Sequence, residues 1–458
     1  MKRIVQIITL LMVAGFASGQ GISKRLHDSV TILEADDQLK SGMLAFYVFD
    51  QKTGTVVLDE NGTTGLPVAS SQKVLTSVAS LELLETNYHY QTSLSYSGII
   101  HNGTLNGNLY INGSGDPTLG SWRYDNTKEQ VVFNKWVKAI KQAGINRING
   151  AIISNNDWGT YSVPGGWIWD DIGNYYGAGA TGLNWRENQY DLKLQSGNSI
   201  GDKVRIVTTV PKLYDVNLMS ELTTGKTGSG DNAYIYLAPY SHTGFVRGTI
   251  PPNENAFTVS GSFPDPAKQM IYLFEEELKK QSIELSSSKD AENNENGKKT
   301  TKLAVHLSPP LDSINYWFLK KSINLYGEAL AKTLGFEKKK EPSTEAGVNI
   351  IKDFWKDRGI EVTSINMKDG SGLSPQNRIT AEALVKVMQY ARSQPYFNFF
   401  YNALPEINGV KMKSGTIGGV KSFTGYVNGY TFAIVVSNYN GSNSAIVRKM
   451  YRLLDILK

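Results

Sequence analysis

The strongest constraint on the fold of this chain is that strand and helix patterns occur both near its start and near its end. Near the start, "MLAFYVFD" from Met43 and "TVVLDE" from Thr55 are β-rich runs joined by "QKTG", which predicts a hairpin. The next run, 70–84, carries its apolar residues on one helical stripe and predicts a core-facing helix. Toward the end, helical patterns are followed by strands from Ser422 and by a last amphipathic helix. Elements of one domain are therefore split between the two ends.

The region between these ends has a different character. From 99 to 302 the sequence consists of short β-like runs separated by Gly and Asn, and it ends in the polar stretch "SSSKDAENNENGKKTT". We therefore predict one domain made of 20–98 and 303–458, interrupted by a β-rich insertion over 99–302.

The first residues, 1–19, predict an export signal. Lys2 and Arg3 precede the apolar run 4–16, and the small residues up to Gly19 are typical of a cleavage site. The run is well short of the ~20 apolar residues that a membrane helix needs, so we expect no transmembrane anchor. The chain has no cysteine, which excludes disulfides and thiolate metal sites. We expect an exported protein, periplasmic or otherwise secreted.

Charge and histidine content argue against two classes of binding protein. The formal net charge of +5 is small for 458 residues, and Lys and Arg are interspersed with Asp and Glu. We therefore expect no nucleic-acid partner. The five histidines form no set such as HExxH, so no metal site is predicted.

A Ser-x-x-Lys pattern occurs twice. On a helix, residues three positions apart share a face, so the lysine amine can take the proton from the serine. Ser70 and Lys73 begin the predicted amphipathic helix, whereas Ser286 and Lys289 lie in the polar stretch and are interpreted as solvated surface. The pattern alone leaves open that Ser70 only caps the helix and that Lys73 lies on its surface.

A second pattern, Ser-x-Asn, is too common to identify a site by itself. It begins at Ser154, Ser196, Ser313, Ser322 and Ser364. Ser322 and Asn324 lie within the apolar segment "YWFLKKSINLYGEAL", where poor helix formers need a reason to be present. The alternative is that they are tolerated polar residues of a helix.

The third pattern, Lys-Ser/Thr-Gly-Ser/Thr, occurs at Lys52, at Lys226 and at 413–416. Lys52 lies in the predicted hairpin turn, and Lys226 lies in a Gly-rich loop of the insertion. The copy at 413–416 is followed by Gly-Gly and two strands, which favours a strand edge that binds a carboxylate and an oxyanion. Its residues are Lys413, Ser414, Gly415 and Thr416.

With the three patterns in this order, the sequence resembles the penicillin-binding D-alanyl-D-alanine carboxypeptidases and endopeptidases of the class C low-molecular-mass type, peptidase family S13. The resemblance spans roughly 43–438 and includes "LPVASSQKVLTSVASLELL", "GSGDPTL", "DDIGNYYGAGATGLNWREN", "DGSGLSPQNRIT" and "KMKSGTIGGVKSFTGYV". It implies an α/β (α+β) fold of the β-lactamase/transpeptidase type. In this fold an antiparallel sheet is flanked by helices, and here the large insertion interrupts the DD-peptidase catalytic domain.

The resemblance implies a serine-type D-Ala-D-Ala carboxypeptidase, with DD-endopeptidase action as a further expectation, on peptidoglycan stem peptides. Ser70 would attack the carbonyl of the penultimate D-alanine, with neutral Lys73 as the base. Ser322 would relay the proton to the departing D-alanine, and Asn324 would hold Lys73 and the substrate amide. The resulting acyl-enzyme would be hydrolysed by water, and no cofactor takes part.

The resemblance also assigns roles to the third pattern. The backbone N–H groups of Ser70 and Thr416 would form the oxyanion hole. Lys413 and the hydroxyls of Ser414 and Thr416 would hold the terminal carboxylate, and Gly415 would let the substrate approach the strand closely. β-Lactam antibiotics are expected to act as covalent inhibitors.

Three positions depart from the family's usual pattern. Ile323 stands where the family usually has a short polar residue, and Ser414 replaces threonine, but the functional atoms are kept. In the insertion, relatives often carry acidic residues that meet the amine of the stem peptide's diamino acid. There "ISNNDWG" provides only Asp157.

Two other functions share these motifs. A serine β-lactamase has the same fold but needs a dedicated group to activate the deacylating water, and no glutamate motif of that kind is evident. A penicillin-sensing or wall-binding protein would be acylated without turnover, which the complete motif set disfavours.

Overall fold

The structure is a computed structural model that describes residues 21–155, 158–159, 162–286 and 299–458. The predicted export signal, Asp157 and Lys289 lie outside the described residues. Within the described ranges, no helix has the length and apolar character needed to cross a membrane.

The helices are distributed along the whole described chain. They are α1 (21–34), α2 (Lys73–Leu83), α3 (Glu129–Gln142), α4 (Trp169–Ile172), α5 (Pro266–Lys280), α6 (Leu311–Lys320), α7 (Asn324–Lys339), α8 (Thr344–Lys356), α9 (Ala381–Arg392), α10 (Phe397–Ala403) and α11 (Asn443–Asp455).

Most strands lie in the middle of the chain, where the sequence predicts the β-rich insertion. They are β1 (Met43–Asp50), β2 (Thr55–Glu60), β3 (Gln91–Tyr96), β4 (Ile99–His101), β5 (Thr104–Asn106), β6 (Leu109–Asn112), β7 (Arg147–Ile148), β8 (Ile152–Asn155), β9 (Gln189–Gln195), β10 (Arg205–Val210), β11 (Asn217–Ser220), β12 (Thr223–Thr224), β13 (Asn232–Tyr236), β14 (Thr243–Ile250), β15 (Phe257–Ser262), β16 (Glu284–Leu285), β17 (Thr301–Leu307), β18 (Ile365–Asn366), β19 (Arg378–Ile379), β20 (Glu406–Ile407), β21 (Val410–Ile417), β22 (Val420–Val427) and β23 (Tyr430–Ser437).

The described chain divides into two compact units. The first contains the described residues up to Leu83 together with Asn315–Ser322 and Val348–Lys458. The second contains Leu84–Ile314 and Ile323–Gly347. The second unit therefore includes α7 as well as the region that the sequence predicts as an insertion.

The first unit is built on a six-stranded antiparallel sheet with the strand order β2-β1-β23-β22-β21-β20. The predicted hairpin of β1 and β2 is confirmed. β1 pairs with β23 from Met43 opposite Ser437 to Asp50 opposite Tyr430. Strands from the two ends of the chain thus belong to one sheet.

Helices flank this sheet, as predicted. On one face, Leu26 and Val30 of α1 and Ile446 and Met450 of α11 join the strands in an apolar core. α9 lies against β1, β22 and β23 and packs with α2. Residues 431–436 of β23 are all buried, and because neighbouring side chains point to opposite faces, both faces of the sheet are covered.

Two helical segments differ from the sequence prediction. The 3-10 turn Ala69–Gln72 precedes α2, so Ser70 lies before the α-helix rather than in its first turn. The segment predicted as one helical stretch around Ser322 breaks into α6 and α7. Ser322 lies in the break with a left-handed backbone, φ 57°. Because apolar periodicity continues through the break, the sequence pattern does not reveal it.

The second unit has its own core among several smaller sheets. Their strand orders are β17-β3-β6-β8, β16-β7-β5-β4, β10-β9-β15 and β11-β14-β12, with β13 also paired to β14. Phe133 and Trp136 of α3 pack with Phe274 of α5, and Phe133 stacks on Trp185. This aromatic cluster gives the unit a buried centre independent of the six-stranded sheet.

Candidate active site

Ser70 and Lys73 meet at the start of α2. Nζ of Lys73, the first residue of this helix, lies 2.9 Å from Ser70 Oγ, within hydrogen-bond distance. The Lys73 side chain is fully buried, whereas Ser70 is partly accessible. A serine hydroxyl that contacts a buried amine is an arrangement that activates a nucleophile. The structure therefore brings together the two residues that the sequence pattern paired.

The backbone that carries Ser70 is held against the sheet in an uncommon conformation. Ala69 has a left-handed φ of 47°, which costs a residue with a Cβ on the order of 1 kcal/mol. Ser422 of β22 donates from Oγ to the Val68 carbonyl at 2.6 Å and lies 2.8 Å from Ser71 Oγ. These contacts fix the turn, and local strain of this kind is common where a side chain is presented to a substrate.

The copy of the third pattern at 413–416 lies on β21, as its flanking sequence predicts. β21 pairs with β22 along its length, with Lys413 opposite Thr424. On the other side, β20 is the one described strand that pairs with β21, at Val410 and Lys411. An extended peptide can pair with the remaining edge through backbone hydrogen bonds.

Gly415 allows β21 to lie directly against the turn that carries Ser70. A Cβ added at Gly415 would clash with the Val68 carbonyl oxygen and would come within 2.9 Å of the Ser70 backbone nitrogen. Glycine is therefore needed at this position for the close approach of the two backbones. The approach places the Ser70 amide beside the strand that carries Thr416.

Lys413 is a buried amine that contacts a second serine. Its Nζ donates to Ser322 Oγ at 2.9 Å and to the Ser414 carbonyl at 2.8 Å. Burial lowers the pKa of Lys413 well below its ordinary value, and the positive charges of Lys73 and Lys421 lower it further. Burial also lowers the pKa of Lys421, whose Nζ donates to Thr416 Oγ1 at 2.7 Å. The site thus holds amines whose charged forms are disfavoured, and an anion bound beside them would stabilise those charged forms.

Ser322 and Asn324 belong to different units of the structure. Ser322 is the last residue of its segment in the first unit, where it accepts the hydrogen bond from Lys413. Asn324 is the first residue of α7 in the second unit, and its Nδ2 donates to the Tyr176 carbonyl at 2.7 Å. Their polar side chains therefore have specific partners.

A buried carboxylate anchors α7 within the second unit. Glu187 Oε1 accepts hydrogen bonds from Tyr326 OH at 2.9 Å, from Arg123 Nε at 2.7 Å and from Ser121 Oγ at 2.7 Å. Glu187 is fully buried and has a left-handed φ of 53°. The start of the helix that bears Asn324 is therefore held by the hydrogen bond from Tyr326 to a carboxylate that is itself ion-paired with Arg123.

The remaining sequence candidates lie in other surroundings. Lys52 is exposed in the turn between β1 and β2, and Lys226 is exposed in the loop between β12 and β13. Ser286 follows β16 and donates from Oγ to the Ile148 carbonyl at 3.2 Å. Across the part of the chain that the structure describes, no group of three or more His, Cys, Asp and Glu side chains could hold a metal ion.

The backbone of Ser371 makes a contact that the sequence patterns do not predict. Its carbonyl accepts a hydrogen bond from Lys73 Nζ at 2.6 Å. The carbonyl belongs to the loop 369–377, which begins at the buried Asp369. The composition "DGSGLSP" indicates a turn, but no sequence signal reveals which carbonyl contacts a lysine.

Comparisons with known proteins show the family of this chain. The model of the D-Ala-D-Ala carboxypeptidase 3 (S13) family matches residues 26–454. D-alanyl-D-alanine carboxypeptidase DacB of Haemophilus influenzae is 24% identical over 85% of this chain and 79% of its own length. D-alanyl-D-alanine carboxypeptidase of Actinomadura sp. strain R39 is 24% identical over 93% of this chain and 83% of its own.

A solved structure shows the same fold. Penicillin binding protein 4 (dacB) of Haemophilus influenzae superposes with a TM-score of 0.77 at 20% identity, over 94% of this chain and 98% of that one. That protein has also been solved in complex with a β-lactam. The predicted α/β (α+β) fold of the β-lactamase/transpeptidase type, with additional inserted structure, is therefore confirmed.

Proposed function

Since the chain belongs to the D-Ala-D-Ala carboxypeptidase 3 (S13) family and is a serine-type D-Ala-D-Ala carboxypeptidase, we propose that Ser70 carries this activity through an acyl-enzyme. The substrates are peptidoglycan stem peptides. The observation that carries the proposal is the 2.9 Å contact between Lys73 Nζ and Ser70 Oγ at a partly accessible serine. Neither step of the reaction requires a metal or another cofactor.

Acylation begins when neutral Lys73 takes the proton of Ser70 while Oγ attacks the carbonyl of the penultimate D-alanine. The backbone N–H groups of Ser70 and Thr416 stabilise the oxyanion. The C–N bond then breaks, and Ser322 relays a proton to the amine of the departing D-alanine. The contact between Lys413 and Ser322 supports this relay. Water hydrolyses the resulting ester and restores Ser70.

The substrate's terminal carboxylate binds beside Lys413, together with the hydroxyls of Ser414 and Thr416. Burial and two neighbouring lysines disfavour the charged form of Lys413 in the free enzyme. A carboxylate at this place restores the charged form, since an opposite charge stabilises it, and the pair gains a charge-assisted hydrogen bond. Asn324, at the start of α7, binds the substrate amide.

Two further properties follow from the same site, and the export signal adds a third. β-Lactams, which carry a carboxylate beside a strained amide, acylate Ser70 and act as covalent inhibitors. Cross-linked stem peptides contain an equivalent D-alanyl bond, so DD-endopeptidase action accompanies the carboxypeptidase activity. The predicted export signal places the protein in the periplasm or outside the cell, where peptidoglycan is found.

Two substrates test the proposal in parallel. The protein is incubated with a fluorescent penicillin and with a pentapeptide that ends in D-Ala-D-Ala. The proposal predicts covalent labelling together with release of D-alanine. Rapid penicillin hydrolysis without D-alanine release would instead identify a β-lactamase, and labelling without any release would identify a penicillin sensor. Either of these results would overturn the proposed function.

A further inference from the structure

We propose that Asp369 is a positioning residue for Lys73: it holds the loop 369–377 so that the Ser371 carbonyl orients the lysine amine toward Ser70. The inference rests on the proposed function of Ser70 and adds a residue that acts through another one. Lys73 Nζ lies 2.6 Å from the Ser371 carbonyl oxygen and 2.9 Å from Ser70 Oγ. The loop carbonyl is thus a direct partner of the proposed base.

Asp369 is fully buried, and its carboxylate organises the loop from within. Oδ1 accepts from the Gly372 backbone N–H at 2.8 Å and from Asn377 Nδ2 at 3.0 Å, and Oδ2 accepts from the Ser374 backbone N–H at 2.7 Å. These bonds bend the chain around Ser371 and fix the direction of its carbonyl. Charge-assisted bonds of this kind are stronger than those to a neutral acceptor.

The same loop is tied to α2 and to the turn before it, on both sides of Lys73. Gln72 donates from Nε2 to Asp369 Oδ1 at 3.0 Å and to the Asp369 carbonyl at 2.7 Å. One turn after Lys73, Thr76 donates from Oγ1 to the Gly370 carbonyl at 2.7 Å. The distance between the loop and the helix is therefore fixed at the point where Lys73 meets Ser371.

The valence of a neutral amine explains why this carbonyl matters. Neutral lysine has two N–H donors and one lone pair, and it acts as a base only if the lone pair points at the Ser70 hydroxyl. The Ser371 carbonyl accepts one N–H and thereby restricts rotation about the Cε–Nζ bond of Lys73. After proton transfer the ammonium keeps this partner. A displaced carbonyl would leave the amine buried but misoriented, and misplacement by about 1 Å can cost about 100-fold in rate.

The test uses matched variants of the full chain and follows acylation by a fluorescent penicillin. Asp369→Asn, which turns one acceptor into a donor facing backbone N–H groups, should lower the limiting acylation rate at least about tenfold. It should lower kcat for the pentapeptide with KM changed by less than about threefold. Thr76→Val, which keeps shape but not the hydroxyl, should also slow acylation, and Thr76→Ser should restore the rate to within about twofold. Ser80→Ala, further along α2, is the control and should act like the parent.

Rescue by Thr76→Ser separates positioning from a general loss of structure, which thermal unfolding checks for every variant. A folded Asp369→Asn protein that acylates at the parent rate would overturn the inference. Equal slowing of acylation by Thr76→Val and Thr76→Ser would also overturn it. If Asp369→Asn does not fold, the comparison of these two Thr76 variants is the deciding test. Ser70→Ala distinguishes failure of the proposed function from failure of this inference. If Ser70→Ala still becomes labelled, the proposed function fails. If Ser70→Ala loses labelling but Asp369→Asn is labelled at the parent rate, only the positioning role of Asp369 fails.

Discussion

Lys413 donates a hydrogen bond from Nζ to Ser322 Oγ at 2.9 Å, although the two residues are 91 positions apart in the sequence. The bond joins one Ser-x-Asn pattern to one Lys-Ser/Thr-Gly-Ser/Thr pattern inside the first unit. Each pattern occurs several times in the sequence and identifies no site by itself, but a direct contact between members of the two selects one copy of each. It identifies the copy at 413–416 as the one associated with the other candidate residues.

This contact predicts that Lys413 is needed and that the lysines of the other two copies are not. Lys413→Ala should lower kcat/KM for a D-Ala-D-Ala pentapeptide by about 100-fold or more, because a buried charged contact to the substrate carboxylate is lost. Lys52→Ala and Lys226→Ala should remain within about threefold of the parent, since both residues are exposed outside the site. A comparable loss in either control, with folding intact, would contradict the assignment.

Gly415 should not tolerate a methyl group. Gly415→Ala would clash with the Val68 carbonyl and separate β21 from the turn that carries Ser70. We expect at least about tenfold slower penicillin acylation and a loss of stability of about 1–3 kcal/mol, the range for overpacking. Gly418→Ala in the same hairpin is the matched control, because its added Cβ meets no atom within 4 Å. Equal rates for the two variants would show that the close approach is unimportant.

The penicillin adduct should persist. No dedicated base for deacylation is evident in the sequence, and the retained ring fragment obstructs the approach of water. Mass spectrometry of the intact protein after brief incubation should show the mass of the protein plus the whole penicillin. Disappearance of penicillin without accumulation of this adduct would favour the β-lactamase alternative.

Asp116 should make stability depend on pH in mildly acidic solution. Burial raises its pKa from 3.8 to about 6, although hydrogen bonds from Thr118 act in the opposite direction. At a pH between these two pKa values, Asp116 is protonated in the folded protein and ionised in the unfolded chain. The free energy of unfolding therefore falls as pH rises from about 4 to about 6. The total change is about 3 kcal/mol.

Thermal unfolding between pH 4 and pH 7 checks this sign. Asp116→Asn should remove this contribution to the slope, whereas Asp353→Asn, which changes an exposed carboxylate, should keep the parent's pH profile. An Asp116→Asn protein with the parent's slope would show that the carboxyl does not titrate in this window.

Much of the site was predictable because its residues have local sequence signatures. The spacing of Ser70 and Lys73 predicts a shared helical face, and the strands after Lys413 predict its place on a sheet. The left-handed backbone of Ser322 was not predictable, since the apolar pattern runs through the break between α6 and α7. Its conformation depends on packing between segments that are distant in the sequence.

The partners of Lys73 illustrate a second limit. The Ser371 carbonyl contacts this lysine through a backbone atom, which every residue has, so residue type carries no information about it. Asp369 lies 296 positions after Lys73, and only the folded chain shows that its carboxylate shapes the loop. Likewise, the grouping of α7 with the second unit follows from contacts such as that of Tyr326 with Glu187.

Peptide mapping of the penicillin-labelled protein identifies the residue that forms the acyl-enzyme, which we propose to be Ser70. The labelled protein is digested, and the modified peptide is sequenced by mass spectrometry, in parallel for the parent, Ser70→Ala and Ser286→Ala. We expect one penicilloyl group on Ser70 in the parent and in Ser286→Ala, and neither label nor D-alanine release in Ser70→Ala. Label on another residue, or undiminished labelling of the Ser70→Ala protein, would contradict it.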